Sequence, residues 1–320
     1  MTPEIRRAVE ILRAGGLVAF PTETVYGLGA DAASPQAVAH LFALKGRPAD
    51  HPVIVHFADA EQAFAWAREV PPAAWLLAAR FWPGPLTMIL ARAVHVGEFV
   101  TGGQDTVGLR VPAHPVAQQL LRAFAGEAHG RRYSGLAAPS ANRFGRVSPT
   151  TAAHVRDDLG EAVGMVLEGG ASEVGIESTI VDLSRGPAVL LRPGAISTAQ
   201  LEQALGEPVA TAPGAAPPRA PGTLERHYAP KTPLRLVPSH ALDAEIARLN
   251  QRVAVLAFSR PDERARRWLR MPRDPAGYAR RLYAALRELD AAGCEQILVE
   301  APPEASAWQA VRDRLKRAAA

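Results

Sequence analysis

Between Gly206 and Gly222 the chain reads GEPVATAPGAAPPRAPG, with five prolines, three glycines and almost nothing large enough to pack. Such a stretch cannot carry a continuous core, and its prolines hold it semi-extended rather than coiled. It divides the chain. At 320 residues the sequence also exceeds the usual size of one compact domain, so two folded parts are predicted, residues 1–205 and 233–320, joined by a Pro-rich linker over 206–232. With 48% hydrophobic residues and 21% charged, each part can bury a core of its own.

Upstream of the linker, short apolar runs alternate with segments that carry helix-start signals. Ser34 followed by Pro35 predicts a helix that ends at Gly46. Asp59 with Gln62, and Ser197 with Gln200, have the spacing of capping boxes. Ser148 before Pro149 gives one more helix start by the signal seen at Ser34. Strands are predicted at 17–20, 53–57, 86–91, 107–111, 136–139, 164–167, 179–183 and 188–191. This order predicts an α/β or α+β domain built on a twisted sheet. Downstream, RVAVLAFS and EQILVE read as buried strands, with helical periodicity over 275–292 and 305–317. Alternation of that kind predicts a small Rossmann-like α/β unit.

Several chemistries are excluded by what is missing. The single cysteine, Cys294, rules out an intramolecular disulfide and any Cys-rich metal site. No phosphate loop of the form G-x-x-x-x-G-K-[ST] is present, and no G-x-G-x-x-G follows a strand. A nucleotide would need another cradle. No apolar run approaches the roughly 20 residues of a membrane span, and MTPEIRRAVEILRAGG reads as an amphipathic helix rather than a signal peptide. A soluble, cytoplasmic protein with no membrane partner is expected. The net charge of +4 hints at anionic partners without requiring nucleic acid.

Polar groups gather at strand ends. GGLVAFPTETVYGLG runs from an apolar strand into Thr22, Glu23, Thr24 and Tyr26. In ALKGRPADHPVIVHF, Lys45 and Arg47 form a candidate clamp for phosphate oxygens. A cation in a last helical turn is also favoured by the dipole alone. His56 shares the parity of Ile54, so it is either a core-edge histidine or a ligand-binding one. Arg110 interrupts Val107, Leu109 and Val111, and alternation puts it on the opposite face, toward solvent or toward a cleft. The loop LAAPSANRFGRVSPT offers Ser140, Asn142, Arg143 and Arg146, and LLRPG sets Arg192 at another strand end. Together these suit a small polar substrate and a polyphosphate. A basic surface that holds RNA without chemistry is the competing reading.

The ordered motifs PTETVYGLG, KGRP, WPGPLT, GLRVPAHP, APSANRFGRVSPT, STIVD and LRPG resemble the threonylcarbamoyl-AMP synthase family with the YrdC-type fold. The later RHYAPKTPL resembles its two-domain form. This resemblance implies a twisted-sheet domain with a concave cleft, followed by the Rossmann-like domain. It implies a nucleotidyltransferase that joins L-threonine, bicarbonate and ATP into L-threonylcarbamoyladenylate and pyrophosphate. The product would serve threonylcarbamoyladenosine modification of tRNA, with tRNA or tRNA-modifying proteins as partners. Carried over by motif, the catalytic set is Lys45, Arg47, Ser140 and Asn142. Thr24, His56, Arg110, Ala138 and Ser178 would bind L-threonine, with Gly27 and Gly29 allowing a tight turn beside Thr24. Arg47, His51, Thr106, Ser140, Ser148, Arg192 and Tyr228 would bind ATP, with Tyr228 of the linker closing over it. His51 stands where the family usually has Asn, and the segment 123–135 is longer than usual. No protein-held metal is implied; Mg2+ would arrive with ATP.

Overall fold

The structure is a computed structural model that describes residues 1–126, 134–211, 218–259 and 261–320. Most of the unusually long 123–135 segment and the middle of the Pro-rich stretch therefore lie outside the described residues. Two compact units result. The first holds Met1–Phe144, Pro149–Glu173 and Glu177–Thr223; the second holds Leu224–Ala320 together with the short segments Gly145–Ser148 and Val174–Ile176. The division thus falls after Thr223, inside the predicted linker, and the second unit recruits seven residues from earlier in the chain.

Nine strands form the sheet of the first unit: β1 (Val18–Phe20), β2 (Gly27–Asp31), β3 (Ile54–His56), β4 (Leu86–Ala91), β5 (Thr106–Arg110), β6 (Leu136–Ala137), β7 (Met165–Val166), β8 (Thr179–Asp182) and β9 (Val189–Arg192). Their spatial order is β7-β1-β2-β6-β3-β5-β4-β8-β9. One face packs Val55, Met88, Leu109 and Val181 into the main core. The other face has two separate covers. Val18, Phe20 and Leu136 pack with buried residues of the helices Pro3–Arg13 and Pro115–Gly126. Ile54, Ile89 and Ile180 form a small apolar patch with Ala220. Residues 218–223 are tied to this unit by Arg219, whose guanidinium donates to the Gly102 carbonyl at 2.7 Å, and by the Pro221 carbonyl, which accepts from Arg192 at 2.8 Å.

Local signals explain most of the helices. Ser34 accepts from the Ala37 N–H at 3.2 Å, and Gly46 ends the helix Pro35–Lys45 in a left-handed conformation with φ 65°. Ser197 and Gln200 make the reciprocal capping box. Asp59 caps the short helix Ala60–Phe64, but the Gln62 amide turns to the second Asp59 carboxylate oxygen at 2.7 Å instead of completing a box. Ser148 is not a helix cap. The helix begins at Ala152 and is capped by Thr151, whose hydroxyl accepts from the His154 N–H at 3.3 Å.

The predicted tight turn at Gly27 and Gly29 is corrected as well. Both lie within β2, paired antiparallel with β1, and neither has positive φ. Their role is close approach rather than turning. A Cβ at Gly29 would stand 2.9 Å from Phe20 Cε1 and 3.3 Å from the Val18 carbonyl oxygen. Phe20 is fully buried and has no room to yield. Gly29→Ala should therefore cost about 1–3 kcal/mol through overpacking, visible as a lowered melting temperature; an unchanged melt would contradict this packing.

The second unit carries β10 (Leu234–Val237), β11 (Val253–Ala257), β12 (Arg267–Arg270) and β13 (Gln296–Glu300), all parallel in the order β10-β13-β11-β12. The helices Pro275–Asp290 and Gln309–Ala318 fall where periodicity predicts them. Parallel strands with helical crossovers match the Rossmann-like expectation. Within this unit the Gly145 carbonyl accepts from the Ala229 N–H at 2.9 Å, and Arg287 donates to the Val147 carbonyl.

Candidate active site

Sheet register assembles the site. His56 on β3 pairs with Arg110 on β5, Arg110 with Thr87 on β4, Thr87 with Ile180 on β8, and Ile180 with Arg192 on β9. Directly opposed residues share a face, so five neighbouring strands place His56, Arg110, Thr87, Ile180 and Arg192 in one row. That face is the one bearing the Ile54–Ala220 patch, because Ile54, Gly108, Ile89 and Ile180 have the same parity. Arg110 is only 4% exposed, which settles the alternative left by alternation: its face is not solvent.

Thr87, Arg110 and Arg192 are each held by neighbouring polar groups. Thr87 Oγ1 lies 2.8 Å from Ser178 Oγ. Arg192 donates from Nη2 to Ser178 Oγ at 3.0 Å and from Nε to the Ser178 carbonyl at 3.0 Å. Arg110 donates from Nη2 to Glu23 Oε1 at 2.6 Å, and its Nε lies 3.4 Å from the Gly84 carbonyl oxygen. Thr24, fully buried, pairs its hydroxyl with that of Thr22 at 2.8 Å. The Ala138 N–H donates to the Ile54 carbonyl at 3.0 Å, so the Ala138 backbone joins the site beside β3. Thr106 begins β5 on the same parity as Arg110 and is buried. Thr87 is a functional candidate that sequence reasoning missed, and Glu23, seen there only as one of several polar groups ahead of β2, gains Arg110 as a partner. The available signal was a polar residue inside LTMILA, but only the β4–β5 register places Thr87 beside Arg110.

His56 sits edge-on to Phe20 with ring centroids 6.2 Å apart. Burial, aided by the Arg110 charge, pushes its pKa from 6.5 down to about 3. The imidazole is therefore neutral at physiological pH. Between about pH 6.5 and 3 the unfolded chain takes up a proton here that the folded chain refuses, so stability rises with pH through that window and is lost on acidification. The full window is worth on the order of a few kcal/mol. His56→Asn should flatten the dependence of the melting temperature on pH between about 6.5 and 4; slopes equal to those of the parent protein would contradict this assignment.

A second group gathers around the loop after β6. Lys45, at the end of its helix and 3% exposed, donates from Nζ to the carbonyls of both Ser140 and Asn142. The Phe144 N–H returns a bond to the Lys45 carbonyl at 2.9 Å. Ser140 also bridges to Gly27 of β2. Desolvation, with the Arg47 charge adding to it, holds the Lys45 ammonium well below its ordinary pKa. Arg47 donates to the Pro52 carbonyl at 2.6 Å and lies over Phe42 and Phe144, 5.9 and 5.6 Å from the ring centroids. His51 meets Phe144 edge-on at 5.4 Å, and its pKa is lowered by burial and by Arg47. Lys45, Arg47, His51, Ser140 and Asn142 thus form one cationic cluster lined by an aromatic ring. The loop 138–142 links it to the β3–β5 row.

Ser148 and Tyr228 belong to the second unit. There Tyr228, 1% exposed and with φ 60°, stacks on Tyr283 at 5.7 Å and meets His227 at 4.2 Å, with the Arg314 guanidinium 5.4 Å from its ring. Among the described residues no group of three or more His, Cys, Asp or Glu side chains could hold a metal. No described helix is long and apolar enough to cross a membrane.

Comparison with known proteins gives the family. The family profile described as "Telomere recombination" (Sua5_yciO_yrdC) matches residues 10–194, and that described as "Threonylcarbamoyl-AMP synthase, C-terminal domain" matches residues 196–320. The threonylcarbamoyl-AMP synthase of Pyrococcus abyssi is 40% identical, covering 98% of this chain and 94% of its own. The Bacillus subtilis protein of the same name is 38% identical, covering 99% and 93%. The crystal structure of P. abyssi Sua5 complexed with L-threonine superposes with a TM-score of 0.88 at 39% identity, covering 98% of this chain and 94% of that one. With matches to both domain profiles and near full-length similarity on either side of the linker, this chain belongs to the Sua5/YciO/YrdC family in its two-domain, threonylcarbamoyl-AMP synthase form.

Proposed function

We propose that this protein makes L-threonylcarbamoyladenylate and pyrophosphate from L-threonine, bicarbonate and Mg-ATP. The observation that carries the reading is the buried register row of His56, Arg110 and Thr87, closed at one end by Ser178 and Arg192. A row of neutral imidazole, guanidinium and hydroxyls matches a small amino acid with a carboxylate and a hydroxyl. Arg110 pairs the threonine carboxylate. Thr24, His56 and Ser178 hold the remaining polar groups, and the Ala138 backbone borders them. A pocket built to satisfy a hydroxyl rejects analogues that lack it, because its own polar groups are then left unpaired.

The chemistry proceeds in two balanced steps. The threonine amine, as the free base, adds to the carbon of bicarbonate and expels water, giving a carbamate. A carbamate oxygen then attacks the α-phosphorus of ATP; the bond to the bridging oxygen breaks, and pyrophosphate leaves with that electron pair. No covalent enzyme group takes part. Catalysis consists of positioning and of charge stabilisation on the triphosphate. Arg47, Arg192 and the Lys45-bound loop of Ser140 and Asn142 serve the nucleotide, with His51 and Thr106 as further ATP contacts. Lys45 acts by holding two carbonyls in place and by adding positive potential, and an arriving polyphosphate favours its charged form. The magnesium ion arrives on the phosphates as part of the substrate. The adenylate is an activated acyl donor, and its use is transfer of the threonylcarbamoyl group to adenosine in tRNA by partner proteins in the cytoplasm.

Pyrophosphate release tests the reading. It should require ATP, threonine and bicarbonate together. Release that continues without threonine, or none under any condition, would instead support a different acceptor or the RNA-holding alternative.

A further inference from the structure

The Glu23 carboxylate is bonded to Arg110 of the threonine-binding row, and the reaction gives it no task. It lies between β1 and β2, 6% exposed, with both oxygens engaged. Oε1 accepts from Arg110 Nη2 at 2.6 Å, and Oε2 accepts from the Ala113 backbone N–H at 3.0 Å. Ala113 follows β5, the strand that carries Arg110. One carboxylate therefore clamps the guanidinium and the backbone just beyond it. The Gly84 carbonyl faces Arg110 Nε at 3.4 Å. Nε and Nη2 flank one edge of the planar fork, which leaves the donors on Nη1 for a ligand oxygen.

We propose that Glu23 is the positioning residue of the amino-acid subsite, fixing the plane of Arg110 so that its remaining donors meet the substrate carboxylate. The inference rests on the functional reading above and adds to it a residue whose effect is confined to one substrate. An arginine side chain has several rotatable bonds, and a carboxylate ligand alone would have to order them on binding. Glu23 orders them beforehand. Burial makes the arrangement strict, because a guanidinium without its anion in this place would seek another partner. The chain neighbours of Glu23 strengthen the point. Thr22 binds the N–H groups of Thr24 and Val25 at 3.2 Å each, and the Thr22 carbonyl accepts from Ser172 Oγ at 3.0 Å. The segment that presents Glu23 is thus itself pinned at several points.

A role in overall folding alone predicts a different outcome from a role in positioning. Glu23→Gln keeps the shape and an acceptor for Arg110 but loses the charge and cannot satisfy both partners as a carboxylate does. In threonine-dependent pyrophosphate release it should raise the KM for threonine at least about tenfold while the KM for ATP moves less than about twofold. Glu23→Asp restores the charge with a shorter reach, and its threonine KM should fall between those of the parent and Glu23→Gln. It also serves as the test variant should Glu23→Gln not fold. An unchanged threonine KM in a folded variant would overturn the inference. So would a parallel rise of both KM values with a lowered melting temperature, the mark of a purely structural residue. If the parent protein shows no threonine-dependent release, the functional reading fails and this inference falls with it; an active parent with an unaffected variant defeats the inference alone.

Discussion

Lys45→Ala should abolish most of the adenylate-forming activity, with kcat reduced by about 10²–10³-fold, the scale seen when one preorganised donor is removed from a charged site. The geometry accounts for the size of the effect. The Lys45 ammonium holds the carbonyls of Ser140 and Asn142 together, and those two residues shape the loop that leads from β6 into the nucleotide cluster. Removing the ammonium leaves two acceptors unsatisfied in a desolvated place, at about 1–3 kcal/mol each. Repulsion between the carbonyls then opens the loop. Lys45→Met, which keeps the apolar stem, should retain more stability than Lys45→Ala yet be equally inactive. Activity near the parent value in either folded variant would remove Lys45 from the machinery.

Arg110→Leu should be both inactive with threonine and severely destabilised. Its loss strands the Glu23 carboxylate, buried and already committed to the Ala113 N–H, without its cation. Breaking one half of a buried ion pair costs about 3–5 kcal/mol, a large share of the stability of a domain. Adding Glu23→Gln to this variant removes the stranded charge, so the double variant should recover much of the melting temperature. It should not recover activity, since nothing then meets the substrate carboxylate. Calorimetry on the two variants checks the first statement and pyrophosphate release checks the second. A double variant no more stable than Arg110→Leu would mean that the pair is not energetically coupled.

What could be read in advance follows from how far each signal reaches along the chain. Runs such as LTMILA and TIVD are apolar and β-branched, so β4 and β8 stand out locally. β2 does not. Its GLGAD has the composition of a turn, and it becomes a strand because glycine lets the backbone lie against the Phe20 ring. The caps at Ser34 and Ser197 are local and legible, whereas Ser148 carries the same signal three residues too early, with Thr151 making the cap. In the second unit β12, RWLR, hides because its outer residues are exposed arginines.

The site divides in the same way. Arg110, His56 and Arg192 are visible as polar residues in apolar strands. Their assembly depends on register between strands far apart in sequence, and periodicity within one strand does not encode it. For that reason Thr87 escapes notice and Glu23 shows only as one polar group among several, even though each touches a residue that sequence singles out. Lys45 shows the reverse case. Its position at the end of a helix suggests a free phosphate clamp, but the fold turns the ammonium onto two carbonyls and removes it from water.

In the proposed reaction one protein joins threonine, bicarbonate and ATP in a single adenylate. The most direct test supplies 13C-labelled bicarbonate with unlabelled threonine and ATP, and examines the nucleotide product by mass spectrometry before it decays. The expected product is a mixed anhydride of AMP that carries one threonine and one labelled carbon, formed together with pyrophosphate. An adenylate of threonine without the added carbon, or ATP left intact in the presence of all three substrates, would contradict it.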